Sequence, residues 1–277
     1  MKLTLIVFFS FFWIENAAAF IPKPTTILTK ASENAGAGVY FIEQEVSFQT
    51  TGEPFVLNET WTVENAEKMK LIVTGTKELK DKLRWVFTYD HGQRTQFISG
   101  TKQSKKIDST FIERYLHVRK ATEFQQYLIQ AQAVPASLFT KAPYKPGSKD
   151  PDIVSDPHLR LARVGGVITY AFGKLAMSPS ESAASFFFEQ DAFTLRKFRI
   201  GNAEISADKF SNFARGLVFP RTRNVKWNEN VILIQTQQIT PRSEKTISLT
   251  PEHSSENDLT ESGSAKATIE EFYKRFR

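Results

Sequence analysis

The stretch Phe55-Val56-Leu57-Asn58-Glu59-Thr60-Trp61-Thr62-Val63 decides the fold. In an extended chain Phe55, Leu57, Trp61 and Val63 fall on one side, and Asn58, Thr60 and Thr62 on the other. The same period of two recurs nearby. It places Tyr40, Ile42, Val46 and Phe48 together in residues 39–48, and Met69, Leu71 and Val73 together in 69–74. Leu83, Trp85, Phe87 and Tyr89 share a face in 83–89, and residues 94–99 return after the turn Asp90-His91-Gly92. Strand runs joined by short connections predict an antiparallel meander with one apolar face.

Around this meander the period changes. Residues 22–35 read as a short helix, with Pro24 in its first turn and Gly36 and Gly38 ending it. Residues 108–120 and 121–133 read as two helices. Phe111, Tyr115 and Leu116 share a face of the first, and Phe124, Leu128 and Ala131 a face of the second. A proline-rich loop spans 135–157. Strands resume over 162–175, where Val164, Ile168, Tyr170 and Phe172 align, with Gly165-Gly166 read as a bulge or a point of close packing. A hairpin over 185–200, a strand start at 204–207, one helical turn at 208–213, and a pair at 217–227 and 230–239 complete the body. The predicted class is mainly β with α: an antiparallel half-open β-barrel covered by about three helices. A sheet with large side chains on one face must cover that face. Alternation alone does not separate a filled core from a cavity.

Composition narrows the function. The chain has 277 residues, 24 Phe and no Cys, with a net charge of +6. The absence of cysteine excludes disulfides, thiol catalysis, cysteine-ligated metals and a cysteine-linked lipid anchor. His91, His117, His158 and His253 show no metal-ligand spacing, so no metal site and no cofactor is expected. Phosphate loops, nucleophile elbows and dinucleotide-binding glycines are absent too, and the expected reading is not an enzyme. Basic residues are scattered, which argues against nucleic acid. Lys102, Lys105, Lys106, Arg114, Arg119 and Lys120 read as the solvated face of the first middle helix.

Lys2, the apolar run from Leu3 to Ile14, and Ala17-Ala18-Ala19 read as a secretory signal peptide over residues 1–19, cut after Ala19. Residues 20–240 then form the half-barrel domain. Residues 241–277 turn polar and read as a flexible tail ending in a short amphipathic helix. On that helix Ile269, Phe272, Tyr273 and Phe276 form one stripe, and Thr268 and Glu271 fit a capping box. The stripe either docks on its own domain or binds a partner.

The order of elements resembles the periplasmic lipoprotein-carrier family, the LolA/LolB-like superfamily. Residues 40–48, 58–63 and 68–73 resemble its first three strands. Asp208-Lys209-Phe210 and Gly216-Leu217-Val218-Phe219-Pro220-Arg221 resemble the entry to a late strand. The resemblance spans about residues 22–240. It implies acyl chains held in the concave face of a half-barrel, with Ile42, Phe48, Trp61, Leu71, Trp85, Phe87, Ile168, Tyr170 and Phe172 as the ligand-binding candidates. The carrier proper has a lid-holding arginine after the second-strand aromatic, where this sequence has Glu64. The expected function is a periplasmic lipid or lipoprotein carrier or chaperone, with at most transient membrane contact. The alternative is a non-enzymatic envelope module, on the same fold, that senses lipid or engages an envelope protein through the C-terminal helix.

One expectation concerns export. N-terminal sequencing of protein from the exported fraction should begin at Phe20, and recovery of the uncut chain in the membrane would contradict the assigned signal peptide.

Overall fold

The computed structural model describes residues 21–49, 53–80, 82–98, 101–140, 156–175, 183–250, 252–254 and 259–277. The stretch read as a signal peptide and most of the proline-rich loop lie outside them. Helix α1 (Pro24–Glu33) starts on Pro24 and buries Ile27 and Leu28. A first meander follows: β1 (Tyr40–Phe48), β2 (Phe55–Asn65), β3 (Lys68–Gly75), β4 (Arg84–Asp90), β5 (Gln93–Ile98) and β6 (Thr101–Lys106). Next come a single 3-10 turn at Glu113–Leu116, α2 (Ala121–Gln130) and α3 (Ser137–Thr140). The second meander is β7 (Leu159–Val164), β8 (Val167–Phe172), β9 (Ser185–Glu189), β10 (Leu195–Ile200), β11 (Ala203–Asn212), β12 (Val218–Trp227) and β13 (Asn230–Pro241). The tail adds the two-residue β14 (His253–Ser254) and α4 (Lys266–Arg275).

The two meanders join where β1 pairs antiparallel with β13. One open sheet results, running from β6 and β5 through β1 and β13 to β7, and β14 lies parallel against β5. Its inner face carries the core. Tyr40, Ile42, Val46 and Phe48 of β1, and Leu57, Trp61 and Val63 of β2, are fully buried there. Helices α1 and α2 cover the β9–β12 half of this face, where Phe124 meets Phe188 and Tyr115 meets Phe186 and Phe198.

Several elements differ from the sequence reading. The helix expected over 108–120 is a 3-10 turn in an otherwise irregular segment. Phe111, Ile112, Tyr115 and Val118 are all buried, so the segment is apolar on more than one side and lies inside the molecule. Lys102, Lys105 and Lys106 sit on β6, an exposed edge strand, where lysine discourages pairing with another chain. They are therefore not on one helix face with Arg114, which is buried, or Arg119, which donates to the Gly38 carbonyl at 2.6 Å. Gly165-Gly166 is the turn of the β7–β8 hairpin and not a bulge, with φ of 57° and 83° that suit glycine. Residues 208–212 continue β11 in register with β12 instead of forming a helical turn.

The tail departs most. Expected as a flexible tether, residues 242–250 and 252–254 lie along the outer face. Glu64 accepts hydrogen bonds from Thr246 Oγ1 at 2.6 Å and Ile247 N at 2.9 Å, and pairs with Lys68 at 3.3 Å. Lys70 and Arg84 both hold Glu252, and Ser254 Oγ accepts from Val86 N at 2.9 Å. The chain thus crosses β2, β3 and β4 on the outside, reaches β5 as β14, and delivers α4 to the inside. Thr268 does not cap this helix, because Ala265 is the N-cap and Thr268 donates to Asn230 Oδ1 at 3.0 Å.

The register predicts an asymmetry between two apolar positions. Leu71→Ala, in the middle of the buried face, should lower unfolding free energy by about 2–5 kcal/mol. Ile168→Ala, at a position 39% exposed, should change it by about 0.5 kcal/mol or less. Chemical denaturation of both variants checks this, and equal losses would contradict the assigned face.

Candidate functional site

Pairing brings most of the expected ligand-binding residues together. Trp61 lies opposite Ile42 on one side and Leu71 on the other, and Leu71 lies opposite Phe87. These four make one cross-strand row. Phe48 ends β1, and Trp85 stands two residues from Phe87 on the same face. Tyr170 and Phe172 belong to the other half, against Phe193 at 6.0 Å and Phe188 at 5.6 Å. Ile168 shares their alternation but is 39% exposed near the start of β8.

Helix α4 covers the first group. Phe272 meets Phe48 edge-on at 5.5 Å, and Tyr273 meets Trp85 at 5.1 Å and stacks on Phe87 at 6.4 Å. Trp227 of β12 packs against Phe272 at 6.1 Å and Phe276 at 4.9 Å. Ile269, Phe272 and Phe276 are completely buried. The stripe, read as docking on its own domain or binding a partner, rests on its own domain, on the face expected to bind a ligand. At about 2 kcal/mol per fully buried apolar side chain, this stripe supplies most of the docking free energy.

Beside this apolar contact lies a closed ring of buried polar groups. Gln44 Nε2 donates to Glu59 Oε2 at 2.6 Å, and Arg277 Nε donates to Glu59 Oε1 at 2.9 Å. Arg277 Nη1 reaches Glu113 Oε2 at 3.2 Å, which also accepts from Arg223 Nη1 at 2.7 Å. Arg223 Nη2 closes the ring on Gln44 Oε1. Trp61 Nε1 adds a bond to Glu59 at 3.0 Å, and the Arg277 guanidinium lies 5.4 Å from the Trp61 ring. Outside the ring, His117 stands 3.4 Å from Glu113 and stacks on Phe219.

Burial alone would raise the Glu113 carboxyl, but Arg223, His117 and Arg277 outweigh it and hold Glu113 well below the carboxylate range. Burial also opposes the charge of Arg277, and Glu59 and Glu113 overcome it, holding the guanidinium protonated. Burial, the largest influence on His117, lowers its basicity and keeps the ring neutral. Two carboxylates thus face two guanidinium groups. Around α4, the indole N–H groups of Trp85 and Trp227 have no hydrogen-bond partner; an unmade buried bond costs about 1–3 kcal/mol.

Sequence reasoning missed every member of this ring. Gln44 and Glu59 occupy inward positions of strands whose other inward residues are apolar, and a charged residue on that parity was the available signal. Glu64, at the place where the resemblance expects a lid-holding base, grips the tail on the outer face instead. A separate cleft of about 350 Å³ opens beside α2 and α3, lined by Ile129, Val134, Pro135, His158, Lys174 and Ala184.

No family model and no curated protein matches the sequence. Solved structures do match its fold. A LolA superfamily protein from Nitrosomonas europaea aligns at TM-score 0.51 and 10% identity, over 81% of this chain and 96% of its own. A domain described as outer membrane lipoprotein-sorting, from Vibrio parahaemolyticus, aligns at 0.47 and 6%, over 79% and 92%. A DUF1329 family protein from Desulfovibrio piger aligns at 0.48 and 7%, over 79% and 92%. The chain has a LolA-like fold, and at this identity the likeness extends to the fold alone.

The ring predicts a charge-balance effect. Arg277→Met leaves two buried carboxylates against one guanidinium and should destabilise by about 3–5 kcal/mol. Adding Glu59→Gln should recover part of that, and a neutral Arg277→Met would show that the ring does not anchor the tail. The ring also sets a pH dependence. Both Glu113 and His117 titrate below their ordinary values of 4.5 and 6.5 when folded, so the unfolded chain takes up protons first as pH falls. The thermal midpoint should decline first below pH 6.5 and again below pH 4.5, and His117→Gln should remove the first step.

Proposed function

We propose that this chain is a non-enzymatic envelope protein that binds acyl chains, of a lipid or an acylated protein, on the concave face of its open sheet. One observation carries the reading. The aromatic surface formed by Phe48, Trp85, Phe87 and Trp227 is covered from within by the chain's own tail helix, which packs on it through Phe272, Tyr273 and Phe276. A surface of this kind suits hydrocarbon, since each buried methylene contributes about 0.8 kcal/mol, and specificity then needs few polar groups. The LolA-like fold is consistent with it, as is the signal peptide read over residues 1–19, which would deliver the protein to a periplasm. Among the described residues no helix is long and apolar enough to cross a membrane.

Native mass spectrometry of protein purified from the envelope fraction tests the reading. The expected result is a population carrying an added lipid mass, restored after delipidation by incubation with phospholipid vesicles. A single lipid-free mass that takes up nothing from vesicles would contradict it.

A further inference from the structure

We infer that α4 together with Arg277 is a resident pseudo-ligand. The groove beneath it takes an amphiphile whose hydrocarbon replaces Phe272, Tyr273 and Phe276 and whose cationic head replaces the Arg277 guanidinium. The inference rests on the acyl-binding reading and adds to it the charge of the ligand and the means by which the site is closed.

Charge balance comes first. Glu59 and Glu113 are buried and face two cations, Arg223 and Arg277. The other groups around them are Gln44, Trp61, Tyr89, Tyr273 and a neutral His117, and Arg94 of β5 lies over the Phe87 ring and donates to the Tyr273 and Arg277 backbone oxygens, not to either carboxylate. When α4 leaves, Arg277 leaves with it, and two carboxylates then share one guanidinium. A ligand with a neutral or anionic head leaves that excess uncompensated in a low-dielectric site, whereas an ammonium restores the balance.

The attachment of α4 suits departure as a unit. The preceding tail is held on the outer face by Glu64, Lys68, Lys70 and Arg84, so it stays in place when the helix moves. Gly263, just before α4, has φ 54° and ψ −125°, a conformation reserved for glycine, and has open space around it. The hydrogen bonds of α4 to its surroundings all involve a side chain: Arg94 to the Tyr273 and Arg277 backbone oxygens, Lys105 to the Lys274 oxygen, Thr110 to the Arg275 oxygen, Thr268 to Asn230, Arg275 to Asn202, and Arg277 to the buried ring. The β1–β13, β1–β2 and β12–β13 ladders under it are complete without it. Finally, the rings of Trp85 and Trp227, whose indole N–H groups have no hydrogen-bond partner, pack against this helix.

The chain's lack of cysteine allows a clean test. Thr268 Oγ1 and Asn230 Oδ1 lie 3.0 Å apart, so the pair Asn230→Cys and Thr268→Cys can pin α4 to β13 by a disulfide. Binding of hexadecylamine and of palmitate is measured on the same full-length variant, oxidised and reduced. The reduced form should bind hexadecylamine about tenfold or more tightly than palmitate, and the oxidised form should bind neither. Glu59→Gln, without any cysteine, should erase the preference for the amine. The inference is overturned by equal amine binding in both redox forms, by equal affinity for the two amphiphiles, or by a preference that survives Glu59→Gln, while the acyl-binding reading stands in all three cases. Binding of neither amphiphile to the reduced form overturns both.

Discussion

An arginine side chain leaves water only if its charge is met, and the architecture of this protein turns on how Arg277 is met. Its guanidinium is buried between Glu59 of β2 and Glu113 of the 3-10 turn, with Arg223 of β12 and Gln44 of β1 closing the ring. Five separate segments are tied at this point. None of these groups would be stable alone in the core, because an unpaired buried charge is strongly disfavoured. Together they fix where the irregular 108–118 segment crosses the sheet and how deep the end of the tail sits. Such a ring specifies position more than it adds stability, whereas the apolar stripe beside it supplies the docking free energy.

The open sheet makes that arrangement possible. A closed barrel of this many strands would enclose its face permanently. Here β6 and β7 are edges and the inner surface has to be covered by elements from elsewhere in the chain. Over the second meander the cover comes from α1 and α2, which lie before β1 and between the two meanders in the chain. Over the first meander the cover is α4, held through a polar strap across the outer face. The two halves thus take their covers from different parts of the chain, one from helices that precede and divide the meanders and one from the tail. That difference, and not the total apolar area, separates a candidate site from an ordinary core.

The alternation of apolar residues was legible because its cause is local. A strand half-buried against a core needs large side chains at every second position, and Tyr40 to Phe48 or Leu83 to Tyr89 declare this without reference to the rest of the molecule. Strand β6 was missed since an exposed edge strand, Thr101 to Lys106, has no apolar side to alternate. The 108–120 segment misled for the opposite reason. Its apolar residues at near-helical spacing are buried because other elements surround them, not because they share a helix face. The amphipathic stripe of α4 was read correctly as a stripe, but its surface could not be, as nothing local says what an apolar stripe will meet. The ring is wholly long-range: Gln44, Glu59, Glu113, Arg223 and Arg277 become neighbours only through the β1–β13 closure and the course of the tail.

What remains is dynamic: whether the tail helix yields its place while the sheet stays intact. Amide hydrogen exchange followed residue by residue, with and without a bound single-chain amphiphile, reports this directly, because local opening and global unfolding are distinguished by which amides exchange together. The account predicts that the amides of residues 269–276 are protected in the free protein and lose that protection when the amphiphile binds, while those of β1 to β4 keep theirs. Protection of residues 269–276 unchanged by a demonstrably bound amphiphile would contradict it.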